Sequence, residues 1–318
     1  MTSSLLSPAQ TAAALPYARL AAEMEALLQD ATVTVPSRIV QPLHGGGSLF
    51  VMPAADSRVA ITKLISFIPG NSPLGLPTIQ GDIVVFDAVT GQRLCLLDGP
   101  TVTARRTAAV SLLAAQKLVR PSPCADPGRL LIVGAGVQGR AHLEAFHEGL
   151  GVQEVAVASR SAASAQALVQ HAQSLGLRAQ HVDDPNAVLA EFAWVVSATP
   201  AQGVVLTAHP RADAFVAAVG AFTPRMVEWG AEVCQHLARV GTLVVDTRDA
   251  DHEAGDWLQA GIAVEALPTL ADVVMQSPLW TGRSHDALTR SGPVFFKSCG
   301  WAGWDLAAAR CVLASLSF

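Results

Sequence analysis

The sequence predicts an α/β protein in which a doubly wound parallel sheet is joined to a second, α+β domain, and three observations carry this. The run Leu130-Leu131-Ile132-Val133 leads straight into Gly134-Ala135-Gly136-Val137-Gln138-Gly139, a buried-strand signature that ends in a complete G-x-G-x-x-G turn. Beyond it, apolar strand runs alternate with helical segments, the pattern of parallel strands joined by crossover helices. Before it, from Thr32 to about Leu97, short β-rich runs are separated by tight turns, which reads as a mostly antiparallel sheet.

Taken in order, Ser7-Pro8 and Pro16 stand where helices begin, and Leu20, Met24, Leu27 and Leu28 give the second helix an apolar stripe. Strands are expected at 48–52, 59–68, 81–87 and 93–98, with turns at Gly45-Gly46-Gly47 and Thr90-Gly91. A long Ala- and Leu-rich helix follows over 103–119. Arg120-Pro121-Ser122-Pro123 and Asp126-Pro127-Gly128 then read as a linker, and hence a domain boundary. Parallel strands are expected at 129–133, 154–159, 194–197, 214–219 and 243–246. The last segment, 294–318, carries an apolar strand and a helix over 305–315, and is expected to return to the first domain. The predicted boundaries are residues 121–292 for the nucleotide-binding domain, with 1–120 and 293–318 forming the other.

The glycines have distinct uses in a dinucleotide site. Gly134 permits a tight turn, Gly136 lets backbone approach a pyrophosphate, and Gly139 lets the next helix pack close to the strand. The anion would sit at that helix's N-terminus, where unpaired N–H groups and the dipole favour negative charge. About 20 residues further on, an acidic residue would hold the ribose 2′-hydroxyl of NAD, but this chain has Ser159-Arg160-Ser161. Arg160 can pair with a 2′-phosphate and the serines can hydrogen-bond it, so NADPH is the expected cofactor, with NADH possible. The cofactor-binding set is therefore Gly134, Gly136, Val137, Gln138, Gly139, Ser159, Arg160, Ser161 and Thr199.

Composition excludes other classes. Half the residues are hydrophobic and 15% are charged, which suits a globular chain with proper cores, and the net charge of −5 offers no basic footprint for nucleic acid. Five cysteines without C-x-x-C spacing point to reduced thiols in the cytoplasm, and no metal site is implied. There is no secretory pattern at the N-terminus and no apolar run of membrane-spanning length, so secretion and membrane insertion are not expected.

Lys63 interrupts an otherwise apolar strand, Val59-Ala60-Ile61-Thr62-Lys63-Leu64-Ile65, where a lysine is costly unless its charge is used or its tip reaches water. By alternation Ile61, Lys63 and Ile65 share one face. Arg106 lies near the start of the 103–119 helix, where pattern alone fits a surface position as well as a site. Its neighbour Arg105 is expected at the surface.

Several segments match one family. Lys63-Leu64-Ile65-Ser66-Phe67-Ile68-Pro69-Gly70-Asn71, Gly75-Leu76-Pro77, Asp87-Ala88-Val89-Thr90-Gly91, Leu97-Asp98-Gly99 and Thr103-Ala104-Arg105-Arg106-Thr107-Ala108-Ala109 resemble the ornithine cyclodeaminase and mu-crystallin family. So do Val245-Asp246, Gly255-Asp256, Phe296-Lys297-Ser298-Cys299-Gly300 and Asp305-Leu306. The resemblance runs from about Pro36 to the C-terminal helix. It implies a Rossmann domain, a substrate and dimerisation domain formed by both chain ends, and a homodimer. It also implies that Arg38, Lys63 and Arg106 hold a substrate carboxylate beside the nicotinamide.

One departure bears on the reaction. Cyclodeaminases of this family carry an aspartate in the loop after the 214–219 strand, and the position that aligns with it here is Phe222. The form Gly220-Ala221-Phe222-Thr223-Pro224 resembles the ketimine reductases of the family, which reduce Δ1-pyrroline-2-carboxylate or Δ1-piperideine-2-carboxylate to L-proline or L-pipecolate. Such enzymes hold the carboxylate, place the C=N carbon by the nicotinamide and see the nitrogen protonated. Phe222 would pack on the ring methylenes. Lys63 is the candidate to polarise the imine or supply its proton, since burial near arginines lowers a lysine's pKa, and a bound water is the alternative donor. The alternatives are an ornithine cyclodeaminase, an alanine-dehydrogenase-like enzyme, or a non-catalytic, crystallin-like NADPH-binding protein.

Overall fold

The computed structural model describes residues 4–119, 128–277 and 292–316. Two compact units emerge, Met1–Arg106 with Trp301–Phe318, and Thr107–Gly300. Of the linker expected at 120–128, residues 120–127 lie outside the described residues. The division falls at Arg106 and Gly300, where the sequence reading put it at 120 and 292.

The first unit starts with β1 (Ser4–Leu5), α1 (Pro8–Ala13) and α2 (Tyr17–Leu28). Ser7 caps α1 by accepting from Gln10 N, and the Gln10 side chain accepts from Ser7 N, a reciprocal box that fixes the helix start. β2 (Ile39–Pro42), β3 (Ser48–Ala55), β4 (Val59–Phe67), β5 (Ile79–Asp87) and β6 (Arg93–Asp98) follow, and the sheet runs β1-β6-β5-β4-β3-β2. Pairing among β2 to β6 is antiparallel, while β1 joins β6 in parallel. The edge strands β1 and β2 carry weak alternation, which is why pattern alone did not reveal them.

β6 runs into α3 (Gly99–Leu118). This helix begins four residues before the predicted start, because Asp98 accepts from Thr101 N and satisfies the first turn. Arg105, expected at the surface, is half-buried. Its Nε donates to Leu15 O at 2.7 Å and its guanidinium lies over the Tyr17 ring.

The second unit holds β7 (Arg129–Val133), α4 (Val137–Leu150), β8 (Glu154–Ala158), α5 (Ala162–Ser174), β9 (Arg178–His181), α6 (Pro185–Val188), β10 (Trp194–Ser197), β11 (Gln202–Leu206) and β12 (Phe215–Ala218). Then come β13 (Val227–Trp229), α7 (Ala231–Val240), β14 (Thr242–Val245), α8 (Gly255–Gln259), α9 (Leu270–Met275) and β15 (Val294–Lys297). The main sheet is parallel throughout, in the order β14-β15-β12-β10-β7-β8-β9, and β11 pairs with β13 in a small separate sheet. Strand order reverses between β7 and β10, the switch point at which such sheets bind ligands outside their carboxyl ends.

β15 corrects the expectation that the whole last segment returns to the first domain. It inserts between β12 and β14, and all four of its residues are buried. A strand covered on both faces reads as a continuous apolar run, so Val294-Phe295-Phe296 gave no hint of its sheet.

The chain ends in α10 (Ala302–Ser315), which starts three residues before the predicted helix and belongs to the first unit with α2, β3 and β4. Arg310 ties it there, donating from Nε to Asp56 at 2.5 Å and from Nη2 to Asp30 at 2.6 Å. Asp56 is buried and also accepts from Val59 N. Arg310→Ala would leave that carboxylate without its cation, and urea unfolding should show a loss of about 3 kcal/mol.

Candidate active site

The glycine turn follows β7, at the switch point. Gly134 has a left-handed φ of +114°, and a Cβ on it would stand 2.4 Å from Ala198 O; one on Gly139 would stand 2.0 Å from Gly134 O. Strand, helix and the loop after β10 thus meet at backbone contact, which only glycine permits. Gly136 differs: it is exposed, and a Cβ there would meet nothing within 4 Å. It is the N-cap of the 14-residue α4 and supplies no side-chain cap, so the first-turn N–H groups face an open cradle suited to a pyrophosphate. Val137 is exposed in that turn and Gln138 half-buried.

At the end of β8, Arg160 and Ser161 are exposed and Ser159 is half-buried. Ser161 caps α5, accepting from Ser164 N at 3.2 Å and from Ser164 Oγ at 3.1 Å, while Ser159 Oγ accepts from Ser161 N. Arg160 therefore stands at a helix start whose geometry is already set.

Thr199 follows β10, but its donors point into the protein. Its N and Oγ1 donate to Glu228 Oε1 at 2.7 and 2.9 Å, and Ser197 Oγ and Gly220 N donate to Oε2 at 3.1 and 2.9 Å. Ala201 N donates to Thr199 Oγ1 and Trp229 Nε1 to Ser197 Oγ, so each hydroxyl directs its one proton at Glu228. Burial pushes the Glu228 carboxyl up, against the opposing pull of Lys297 and the Thr199 N–H. The result fastens the loop after β10 to the loop after β12. A Cβ on Gly220 would fall 2.4 Å from Glu228 Oε1. Phe222 lies further along that second loop and is 38% exposed.

Behind Glu228, Asp256 accepts from the N–H groups of Glu228 and Trp229 and from Lys297 Nζ at 2.5 Å. Burial alone would lower the Lys297 pKa, but Asp256 beside it leaves it raised. Asp246 accepts from Ser298 Oγ, Cys299 N and Gly300 N, fixing the turn after β15. Sequence reasoning assigned none of these residues a role. The signal for Lys297 was present, since it closes an apolar strand as Lys63 interrupts one.

In the first unit, Lys63 lies on β4, beside Met52 of β3 and Ile83 of β5 in register, and is 1% exposed. It does not snorkel. Its Nζ donates to Asp305 Oδ1 of α10 at 3.1 Å. Arg106, 6% exposed on α3, brings Nε to 3.5 Å from the same oxygen. Burial is the main cause that lowers the Lys63 pKa to about 8; Asp305 opposes it, and Arg106 and Arg38 add to it. The predicted trio of Arg38, Lys63 and Arg106 is therefore one electrostatic group, with Asp305 as the anion that sequence reasoning did not assign. Arg106 Nε and Nη1 and Asp305 Oδ2 are buried without a hydrogen-bond partner.

A parallel sheet in this order, with a glycine turn at its switch point, defines a dinucleotide-binding oxidoreductase scaffold. The chain belongs to the ornithine cyclodeaminase/mu-crystallin family, whose model matches residues 10–317. It is 36% identical over 311 residues to Δ1-pyrroline-2-carboxylate reductase 1 of Burkholderia multivorans, covering 95% of this chain and 92% of that protein. It is 37% identical over 306 residues to a Δ1-pyrroline-2-carboxylate/Δ1-piperideine-2-carboxylate reductase of Azospirillum brasilense, with 95% and 92% covered. Among solved structures, the Thermococcus litoralis Δ1-pyrroline-2-carboxylate reductase in complex with NADH and L-proline shares the fold, with a TM-score of 0.81 at 24% identity over 99% of this chain and 97% of that one.

A cluster whose ammonium titrates near 8 should bind small carboxylates in a pH-dependent way. Lys63 loses its charge as pH rises through about 8, and with it part of the cluster's attraction for an anion. Propionate affinity, followed by titration calorimetry, should fall on the order of tenfold between pH 7 and pH 9.5.

Proposed function

We propose that this chain reduces a cyclic ketimine carboxylate, Δ1-pyrroline-2-carboxylate or Δ1-piperideine-2-carboxylate, to L-proline or L-pipecolate, with NADPH as the preferred reductant and NADH usable. The enzyme is an NAD(P)H-dependent oxidoreductase acting on C=N bonds. The observation that carries the substrate reading is the buried Lys63, Arg106 and Asp305 cluster, a cationic site in an apolar sheet face that matches a small carboxylate. The assignment to ketimines rests on the reductase relatives and on Phe222 standing where cyclodeaminases carry an aspartate.

When bound, the reduced nicotinamide supplies the hydride. The chain's own residues do the rest: the open N-terminus of α4 takes the pyrophosphate, Arg160 with Ser159 and Ser161 takes the 2′-phosphate, and Glu228 fastens the loops that carry Thr199 and Phe222. Arg106 grips the substrate carboxylate, with Arg38 adding charge. Lys63, with its lowered pKa, gives its proton to the imine nitrogen.

A homodimer fits the free face of the first unit's sheet. Leu49, Val51, Thr62, Leu64, Val84 and Leu96 lie opposite the helix-covered side, all half-buried or exposed. An apolar face of that kind supports pairing of two copies of this chain through it. No helix among the described residues is long and apolar enough to cross a membrane, and the cytoplasm remains the proposed compartment.

The reading is tested by following NADPH and NADH oxidation separately with each imine, with ornithine plus NAD as control; ammonia and proline from ornithine would overturn it. Lys63→Met should lose most turnover, on the order of a hundredfold or more, while still binding NADPH. Gly136→Val adds a side chain where a Cβ has open space, so the melting temperature should hold while NADPH affinity falls at least about tenfold by fluorescence titration. Leu64→Glu should shift the dimer to monomer in sedimentation velocity.

A further inference from the structure

The buried cluster of the first unit has unmet hydrogen-bonding capacity of both signs. Arg106 Nε and Nη1 have no acceptor, and Asp305 Oδ2 has no donor. They are neighbours, because Arg106 Nε stands 3.5 Å from the other carboxylate oxygen of Asp305 without hydrogen-bond geometry. That other oxygen, Oδ1, already accepts from Lys63 Nζ. Buried polar atoms are normally satisfied, so an orphan acceptor beside orphan donors describes what the site takes.

A plain carboxylate satisfies only the arginine and brings a second anion up to Asp305. The ligand that satisfies all three atoms carries an acceptor and a donor on adjacent positions, namely a carboxylate and, on the neighbouring carbon, a nitrogen bearing hydrogen. Its nitrogen should be cationic, because Asp305 is completely buried and a charged donor pairs more strongly with a carboxylate than a neutral one. Asp305 stands in the first turn of the 14-residue α10, at the positive end of the helix dipole.

We propose that Asp305 is a substrate-binding residue whose Oδ2 accepts the N–H of the protonated imine, and afterwards of the product amine, while Arg106 holds the adjacent carboxylate. This rests on the reading of the cluster as an imino-acid site and adds the group that recognises nitrogen. Proton and electron bookkeeping closes around one carboxylate. Lys63 passes a proton to the imine nitrogen, becoming a neutral amine, and the iminium N–H forms against Oδ2. Hydride from the reduced nicotinamide then adds to C2 and the C=N π pair withdraws to nitrogen, giving the cyclic amine. Lys63 regains its proton from water.

The test compares L-proline with tetrahydrofuran-2-carboxylate, in which a ring oxygen replaces the nitrogen, by titration calorimetry on the full chain and on Asp305→Asn. The wild-type chain is expected to bind proline at least about tenfold tighter than the oxygen analogue. Asp305→Asn should lose most of that preference and keep its affinity for the oxygen analogue within about threefold. Equal weakening of both ligands, as from a merely structural role, overturns the assignment, and so does a retained preference. If Asp305→Asn does not fold, the wild-type comparison decides, since no preference for proline overturns the proposal. Imine reduction without a nitrogen preference would sink this assignment alone, whereas binding of neither carboxylate would sink the cluster reading and this assignment with it.

Discussion

A positive charge buried in an apolar sheet face is the constraint around which the first unit is built. Lys63 sits among Met52, Ile61, Ile65 and Ile83 and is 1% exposed. Taking a charge out of water costs several kcal/mol unless a counter-charge and hydrogen bonds replace the lost hydration. The anion bonded to it comes from α10, near the other end of the chain, so this unit cannot be completed until that helix has returned. Arg310 repeats the device further along α10, with Asp56 and Asp30 as its partners. Two buried ion pairs thus fix the position of a helix whose many alanines offer little shape of their own.

The second unit solves a different problem, that of leaving one helix N-terminus open while everything around it is closed. Gly134 and Gly139 bring backbone against backbone, and Glu228 collects four donors from the end of β10 and the loops after β10 and β12. Asp256 and Lys297 support Glu228 from behind as a closely paired couple. Around this frame, Gly136, Arg160 and Phe222 remain exposed. Rigidity beneath and exposure above allow a dinucleotide to be held with little reorganisation.

Much of this was legible in the primary structure. The glycine run and the strand and helix alternation identified the parallel sheet, because buried strands and tight turns have local signatures. Lys63 announced itself by interrupting Ile61 and Ile65, since a local pattern had been broken at a cost. Asp305, by contrast, is an ordinary helical aspartate until the fold brings it to Lys63 across 242 positions of sequence. Glu228 and Asp256 escaped for the same reason. Thr199 was picked out as a cofactor residue, but its donors turned out to serve Glu228. Arg105 looked like a surface residue because nothing local reveals the Tyr17 ring that covers it.

The sequence by itself determined the fold class, the family resemblance and the points where a charge interrupts an apolar run, since each depends on residues close together in the chain. Tertiary structure alone decided that β15 enters the nucleotide-binding sheet while α10 leaves for the other unit. It also decided which carboxylate answers each buried cation and which polar atoms are left without partners. Those are matters of long-range pairing and desolvation, and both come into being only when distant segments exclude water together.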